Sequence, residues 1–171
     1  DIGRDYYPLL VDPEPMEPVD YLVTESTYGG RLHEPGRDYT GYLSKIIKET
    51  CVEKGGRLII PAFSVGRTQA LIFEIKKMVN LGLIPEIKVF VDSPLSLEST
   101  KAYQQMHNYL NREAREMQKN DGEIFIFDQL FYIENEKQSK ILSQFDEPAI
   151  IISASGMLDG GRIQTHIRKN I

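Results

Sequence analysis

The stretch from Leu58 to Gln69, Leu-Ile-Ile-Pro-Ala-Phe-Ser-Val-Gly-Arg-Thr-Gln, leaves the chain little freedom, because it reads as a buried strand running straight into a helix. Leu58, Ile59 and Ile60 form a continuous apolar run, as a strand covered on both faces of a parallel sheet requires. Pro61 ends the pairing, Ala62 to Gly66 make a short turn, and from Arg67 the apolar positions Leu71, Ile75, Met78 and Val79 fall at helical spacing. Ser64, Arg67 and Thr68 are therefore held where the free N–H groups and positive dipole end of a helix favour an anion such as a phosphate. The same residues are equally compatible with a plain serine cap followed by a solvated arginine.

The rest of the chain repeats this design. Residues 1 to 20 carry Pro8, Pro13, Pro15 and Pro18 among acidic residues and read as an extended connector. Tyr21-Leu22-Val23-Thr24 is a β-rich run ending at Glu25, and Gly29-Gly30 mark a sharp exit. A helix is predicted from about Asp38 to Glu53, with Tyr39, Tyr42, Leu43, Ile46, Ile47, Thr50 and Cys51 as its stripe and Gly55-Gly56 as its stop. Ile87 to Val91 form a strand ending at Asp92-Ser93-Pro94-Leu95, followed by helical pieces from Leu97 to about His107 and from Asn108 to Lys119. A short apolar run, Ile124 to Phe127, precedes a helix from about Glu134 to Gln144 that carries Ile141, Leu142 and Phe145 on one face. Ala149 to Ile152, the most apolar strand, ends in Ser153-Ala-Ser-Gly-Met157, and Gly160-Gly-Arg162 open a last helix with His166.

Strands alternating with helices predict an α/β fold of three layers, a mostly parallel central sheet with helices on both faces. Ligands of such sheets sit beyond the carboxyl ends of the strands. The turns carrying Glu25, Ser64 with Arg67, Asp92 with Ser93, and Ser155 with Arg162 are thus expected along one edge. In the blander alternative Ser153 and Ser155 only close turns, and Asp92 caps the helix that follows it.

Composition bounds the partners. A 171-residue chain with 41% hydrophobic and 26% charged residues suits a soluble domain with a real core. No run approaches a membrane span and the first residues lack the pattern of a signal peptide, so a cytoplasmic setting is expected, with no membrane partner. Cys51, the single cysteine, has no internal partner and falls on a predicted apolar stripe, which makes it a core residue. The net charge of −5 means that a polyanion must be held by local positive charge and helix starts rather than by the whole surface.

Neither the P-loop pattern nor Gly-x-Gly-x-x-Gly occurs, and His33, His107 and His166 show no short metal spacing, so a zinc site built wholly from these residues is not expected. Taken in order, however, Glu25-Ser-Thr-Tyr-Gly29, Pro61-Ala-Phe-Ser-Val-Gly-Arg-Thr-Gln69, Val91-Asp-Ser-Pro-Leu95 and Ser153-Ala-Ser-Gly-Met157 with Gly160-Gly-Arg162 resemble the β-CASP branch of the metallo-β-lactamase superfamily. That branch holds RNA-processing nucleases, and the motifs are most similar to bacterial and archaeal relatives of the endonuclease subunit of the cleavage and polyadenylation factor. Asp1-Ile-Gly-Arg4 resembles the end of the family's Ser-Gly-Asp segment.

The resemblance implies a Rossmann-like cassette over residues 26–171. It also implies a connector and edge strand, residues 1–25, that belong to a metallo-β-lactamase half of the same parent chain. The family's His-x-His-x-Asp-His motif and its two later histidine motifs are absent from this sequence. Asp1 then matches a ligand bridging two zinc ions in the full-length enzyme, and Glu25 matches an acidic residue that orients a zinc-ligand histidine. The two zinc ions would activate water for attack on an RNA phosphodiester, and the isolated fragment would hold none and be inactive. Ser64, Arg67, Ser93, Ser155, Gly156 and Arg162 would grip RNA phosphates beside the scissile one, positioning the strand without reading its bases. A homodimer is compatible with the resemblance. The alternative from another class is a non-catalytic α/β module that binds a nucleotide or a protein at the same edge.

Overall fold

The computed structural model describes residues 3, 5–31 and 38–170. Its centre is a four-stranded sheet of β1 (Arg57–Pro61), β2 (Lys88–Asp92), β3 (Leu130–Tyr132) and β4 (Ala149–Ser153), in the order β1-β4-β2-β3. Every pairing is parallel. β4 lies between two strands and is buried at all five positions, which is why its sequence is the most apolar of the four.

Alternate residues of each strand enter different cores, as a period of two requires. Leu58, Ile60, Val89, Val91, Ile150 and Ile152 pack into the larger core, with Ile72, Phe73, Ile75 and Met78 of helix α2 (Arg67–Asn80). Ile59, Phe90 and Ile151 face the other way, onto Leu142 and Phe145 at the end of helix α5 (Glu136–Leu142). The predicted three-layer α/β architecture is thus present. No helix among the described residues is long and apolar enough to cross a membrane.

Several elements depart from the sequence reading. The first predicted helix is α1 (Tyr39–Ile47), capped by Asp38, whose side chain accepts from Gly41 N–H, and it continues as a π-helical turn over Lys48–Glu53. Its buried line is Ser44, Ile47 and Cys51, while Tyr39 and Tyr42 keep their rings in solvent. Helix α3 (Pro94–Gln105) starts three residues earlier than Leu97, because Ser93 caps it and proline suits the first turn. A 3-10 turn (His107–Tyr109) then leads to α4 (Arg112–Asp121), capped by Asn111.

Ile124 to Phe127 form no strand. Ile124 and Phe125, adjacent in sequence, are both buried, and the carbonyls of Glu123 and Phe125 accept from Lys76 Nζ and the Tyr132 hydroxyl. Pairing with β2 begins only beyond them, at Leu130.

The proline-rich start is anchored where the sequence suggested only a connector. Leu9 is fully buried, Leu10 bridges antiparallel to Leu110, and Asn111 N–H donates to Leu9 C=O at 2.8 Å. Tyr21 to Thr24, by contrast, join no strand of the sheet, and Tyr21 and Val23 are more than nine-tenths exposed. β-propensity alone does not make a strand when no neighbouring strand meets the backbone.

Candidate functional site at the carboxyl edge of the sheet

Because β1, β4 and β2 are adjacent and parallel, the turns that follow them meet at one edge. Ala62 N–H, just past β1, donates to Ser153 C=O at the end of β4 at 3.1 Å. Ser64 and Ser93, from the turns after β1 and β2, share a hydrogen bond of 2.9 Å between their hydroxyls. Ser93 also accepts from Ser96 N–H as the cap of α3. Ser64 is not a cap, since Gly66 occupies that position of α2 without a side-chain bond.

The turn after β1 is held from below. Thr68 donates its hydroxyl to Phe63 C=O at 2.8 Å, and the fully buried Gln69 amide reaches Ser64 C=O, Ser96 C=O and the Thr100 hydroxyl. Arg67 stands above this frame, exposed, and its guanidinium makes no hydrogen bond or ion pair among the described residues. With Ile60, Pro61, Ala62, Phe63, Leu71 and Gly156 it lines an open cavity of about 400 Å³.

The turn after β4 closes on itself. Ser155 Oγ donates to Asp159 Oδ1 at 2.9 Å and accepts from Met157 N–H, so its hydroxyl is engaged within its own loop. Gly156 lies flat against the β1 turn, where a Cβ would come within 3.2 Å of Phe63 N and 3.3 Å of the Phe63 ring. Gly161, with φ +75°, brings the start of α6 (Ile163–Asn170) against Ala154, whose carbonyl oxygen a Cβ would meet at 2.6 Å.

Beneath the edge lies a polar cluster that sequence reasoning missed. Asp92, at the end of β2, is wholly buried and does not cap α3. Its Oδ2 receives the Ser139 hydroxyl at 2.5 Å and lies 2.7 Å from His166 Nε2, while Arg162 Nη1 donates to Oδ1 at 2.8 Å. Burial works to raise the Asp92 pKa, but the hydrogen bonds from His166, Ser139 and Arg162 outweigh it and hold the carboxyl below its ordinary range. Arg162, expected to grip an RNA phosphate, donates through Nη1 to Asp92 and to Ile133 C=O, and its side chain is 21% exposed. Nothing local in the sequence announces this cluster, because its members come from β2, α5 and the start of α6, far apart along the chain.

The edge gathers Ser64, Ser93, Arg67 and Gly156, with Ser155 and Arg162 in the adjoining loop. Glu25 is not part of it. That residue lies in the exposed segment and accepts from Thr27 N–H at 2.8 Å, a bond that lowers its pKa. Asp1, expected as a metal ligand, lies outside the described residues, as does His33. Among the described residues no three histidine, cysteine, aspartate or glutamate side chains are placed to share a metal ion.

Residues 68–171 match the Beta-Casp domain model. The chain belongs to the Beta-Casp family. The resemblance read from its motifs is thereby borne out. Across its whole length it is 28% identical to Ribonuclease TTHA0252 of Thermus thermophilus, covering 39% of that protein. Over 98% of its length it is 32% identical to an RNase J-like protein of Methanocaldococcus jannaschii, covering 37% of it. Transcription termination factor FttA of Methanosarcina mazei is 29% identical over 88% of the chain, which covers 24% of that factor. This Beta-Casp chain thus spans well under half the length of these relatives. Ser93, Ser155, Gly156 and Arg162 lie within the family match, and Ser64 and Arg67 immediately precede it.

Proposed function

We propose that this Beta-Casp chain is the RNA-gripping part of a longer zinc-dependent ribonuclease and forms the wall of the cleft that holds phosphates beside the scissile bond. The observation that carries the proposal is Arg67, a guanidinium with no partner among the described residues, lining an open cavity on the edge where parallel α/β sheets bind ligands. Arginine presents a fork of donors that matches two phosphate oxygens, and the linked hydroxyls of Ser64 and Ser93 lie in the neighbouring turns. The names of the relatives, a ribonuclease and an RNase J-like protein, support RNA as the anion.

Zinc, in this proposal, belongs to the longer protein, where the metal ions would supply the activated water. The described residues bind and orient the strand, and no step of hydrolysis is assigned to them. Residues 1–25 would belong structurally to a metallo-β-lactamase domain of that protein. Tyr21, Leu22 and Val23, exposed in sequence succession, suit a run that would be covered there.

The test is cleavage of a 5′-labelled RNA by the full-length protein, with and without zinc, beside RNA binding by the 171-residue chain. Zinc-dependent cleavage by the former and Arg67-dependent RNA binding are the expected results. RNA binding without cleavage in any metal would make the protein a binding module, and no affinity for RNA would overturn the proposal.

A further inference from the structure

Phe63 lies four residues before Arg67 in the turn after β1 and is 56% exposed, the aromatic member of a set of exposed apolar side chains at this edge that includes Val65, Leu95 and Met157. Its carbonyl accepts the Thr68 hydroxyl, and one edge of its ring packs closely on Gly156, where a Cβ would approach the ring to 3.3 Å. Phe63 lines the same open cavity as Arg67 and Gly156. At about 400 Å³ this open cavity lies within the ~300–1,000 Å³ typical of small-ligand pockets, and its wall combines apolar side chains with the Arg67 guanidinium, which has no hydrogen-bond or ion-pair partner among the described residues. An exposed aromatic ring and a guanidinium lining one cavity complement a ligand with a planar uncharged part and an anionic part.

We infer that Phe63 and Arg67 form one nucleotide subsite, in which a base of single-stranded RNA stacks on the Phe63 ring while the adjoining phosphate is held by Arg67. The subsite rests on the RNA-gripping reading above and adds what that reading lacks, a contact with the base. Stacking accepts every base, so the subsite contributes affinity and register without sequence preference. Gly156 acts as a positioning residue that keeps the ring at its angle.

The experiment is fluorescence anisotropy with the full-length protein and a labelled adenylate oligonucleotide, set beside a chain of abasic ribose phosphates of equal length. Phe63→Ala and Phe63→Leu are expected to weaken binding of the adenylate strand about tenfold, within the range for one stacked base. Phe63→Trp should match or exceed the natural residue, and the abasic strand should bind all these forms alike. A leucine variant that binds as well as the natural protein, or an equal loss with the abasic strand, overturns stacking. Because Phe63 is more than half exposed, the variants should keep the natural unfolding midpoint, and the leucine and tryptophan forms decide the matter if alanine disturbs the turn.

Loss of binding with Arg67→Ala but not with any Phe63 variant removes the base contact and leaves the RNA-gripping reading standing. No loss with either residue removes both. AMP, added as competitor, separates the sources of the same chemistry. Displacement only at concentrations far above those of the oligonucleotide supports a strand, and equal potency would make the occupant a free nucleotide and overturn the assignment to RNA.

Discussion

His166 Nε2 lies 2.7 Å from Asp92 Oδ2, both side chains are fully buried, and the contact ties the last helix to the end of a central strand. Arg162, four residues before His166, holds the other carboxylate oxygen. The loop that carries Ser155 and Gly156 is therefore clamped to β2 at its far end. A buried carboxylate with partners on both oxygens is costly to disturb on one side only, because the remaining charges lose their compensation.

Asp92→Ala should accordingly destabilise the fold by on the order of 3–5 kcal/mol, the range for breaking a buried ion pair. The pH dependence follows from the sign of the shift. The folded pKa of Asp92 is below the ordinary 3.8, so its contribution is complete above that value and is lost as pH falls through the folded value. Urea midpoints measured from about pH 5 downward should fall less steeply for Asp92→Asn than for the natural protein. Parallel curves would show that this carboxylate is not a source of the acid sensitivity.

Arg67→Ala should weaken RNA binding by roughly 1.5–3 kcal/mol, as for a charge-assisted hydrogen-bonded contact. The slope of log affinity against log salt should become shallower by about 0.7, the value for one phosphate of a single strand. The loss should be equal for unrelated RNA sequences, since phosphate contacts carry no base information. Arg67→Lys tests the fork, and full recovery of affinity with lysine would show that charge alone suffices.

Gly161→Ala meets a double obstacle, a positive φ of +75° and an approach of 2.6 Å to Ala154 O. It should cost more than about 1 kcal/mol, since the backbone there is incompatible with a side chain. The same change should reduce RNA affinity by shifting the loop that carries Ser155 and Arg162. Thermal unfolding and anisotropy measured together check it, and a variant with the natural midpoint would mean that the loop relaxes freely.

Cys51 is buried, its thiol donates to Ala149 C=O at 3.5 Å, and burial pushes its pKa above the ordinary 9.0. The thiol should react with a disulfide reagent only as fast as the protein opens, and promptly in denaturant. Fast labelling of the folded chain would contradict its place between α1 and the sheet.

What the sequence determined by itself is whatever depends on neighbours along the chain. Leu58 to Ile60, Ile87 to Val91 and Ala149 to Ile152 are apolar runs ended by Pro61, Asp92-Ser93-Pro94 and Ser153, and they form β1, β2 and β4. Helical spacing from Arg67 fixes α2, and alternation of the two kinds of element gives a parallel sheet with Ser64 and Ser93 on one edge. The family motifs were legible for the same reason, being short runs along the chain, three of them at the ends of β1, β2 and β4.

The tertiary structure alone decided what depends on strand order. β4 enters between β1 and β2, and only this places Gly156 against Phe63 and α6 against Asp92. Asp92 is separated by 47 residues from Ser139 and by 74 from His166, so no local pattern could pair them, and Arg162 is held by the same carboxylate. The apolar Ile124 to Phe127, which form no strand, and the unpaired Tyr21 to Thr24 share one cause. Apolar or β-branched residues favour a strand, but a strand forms only where a neighbour's backbone hydrogen bonds are open to receive it.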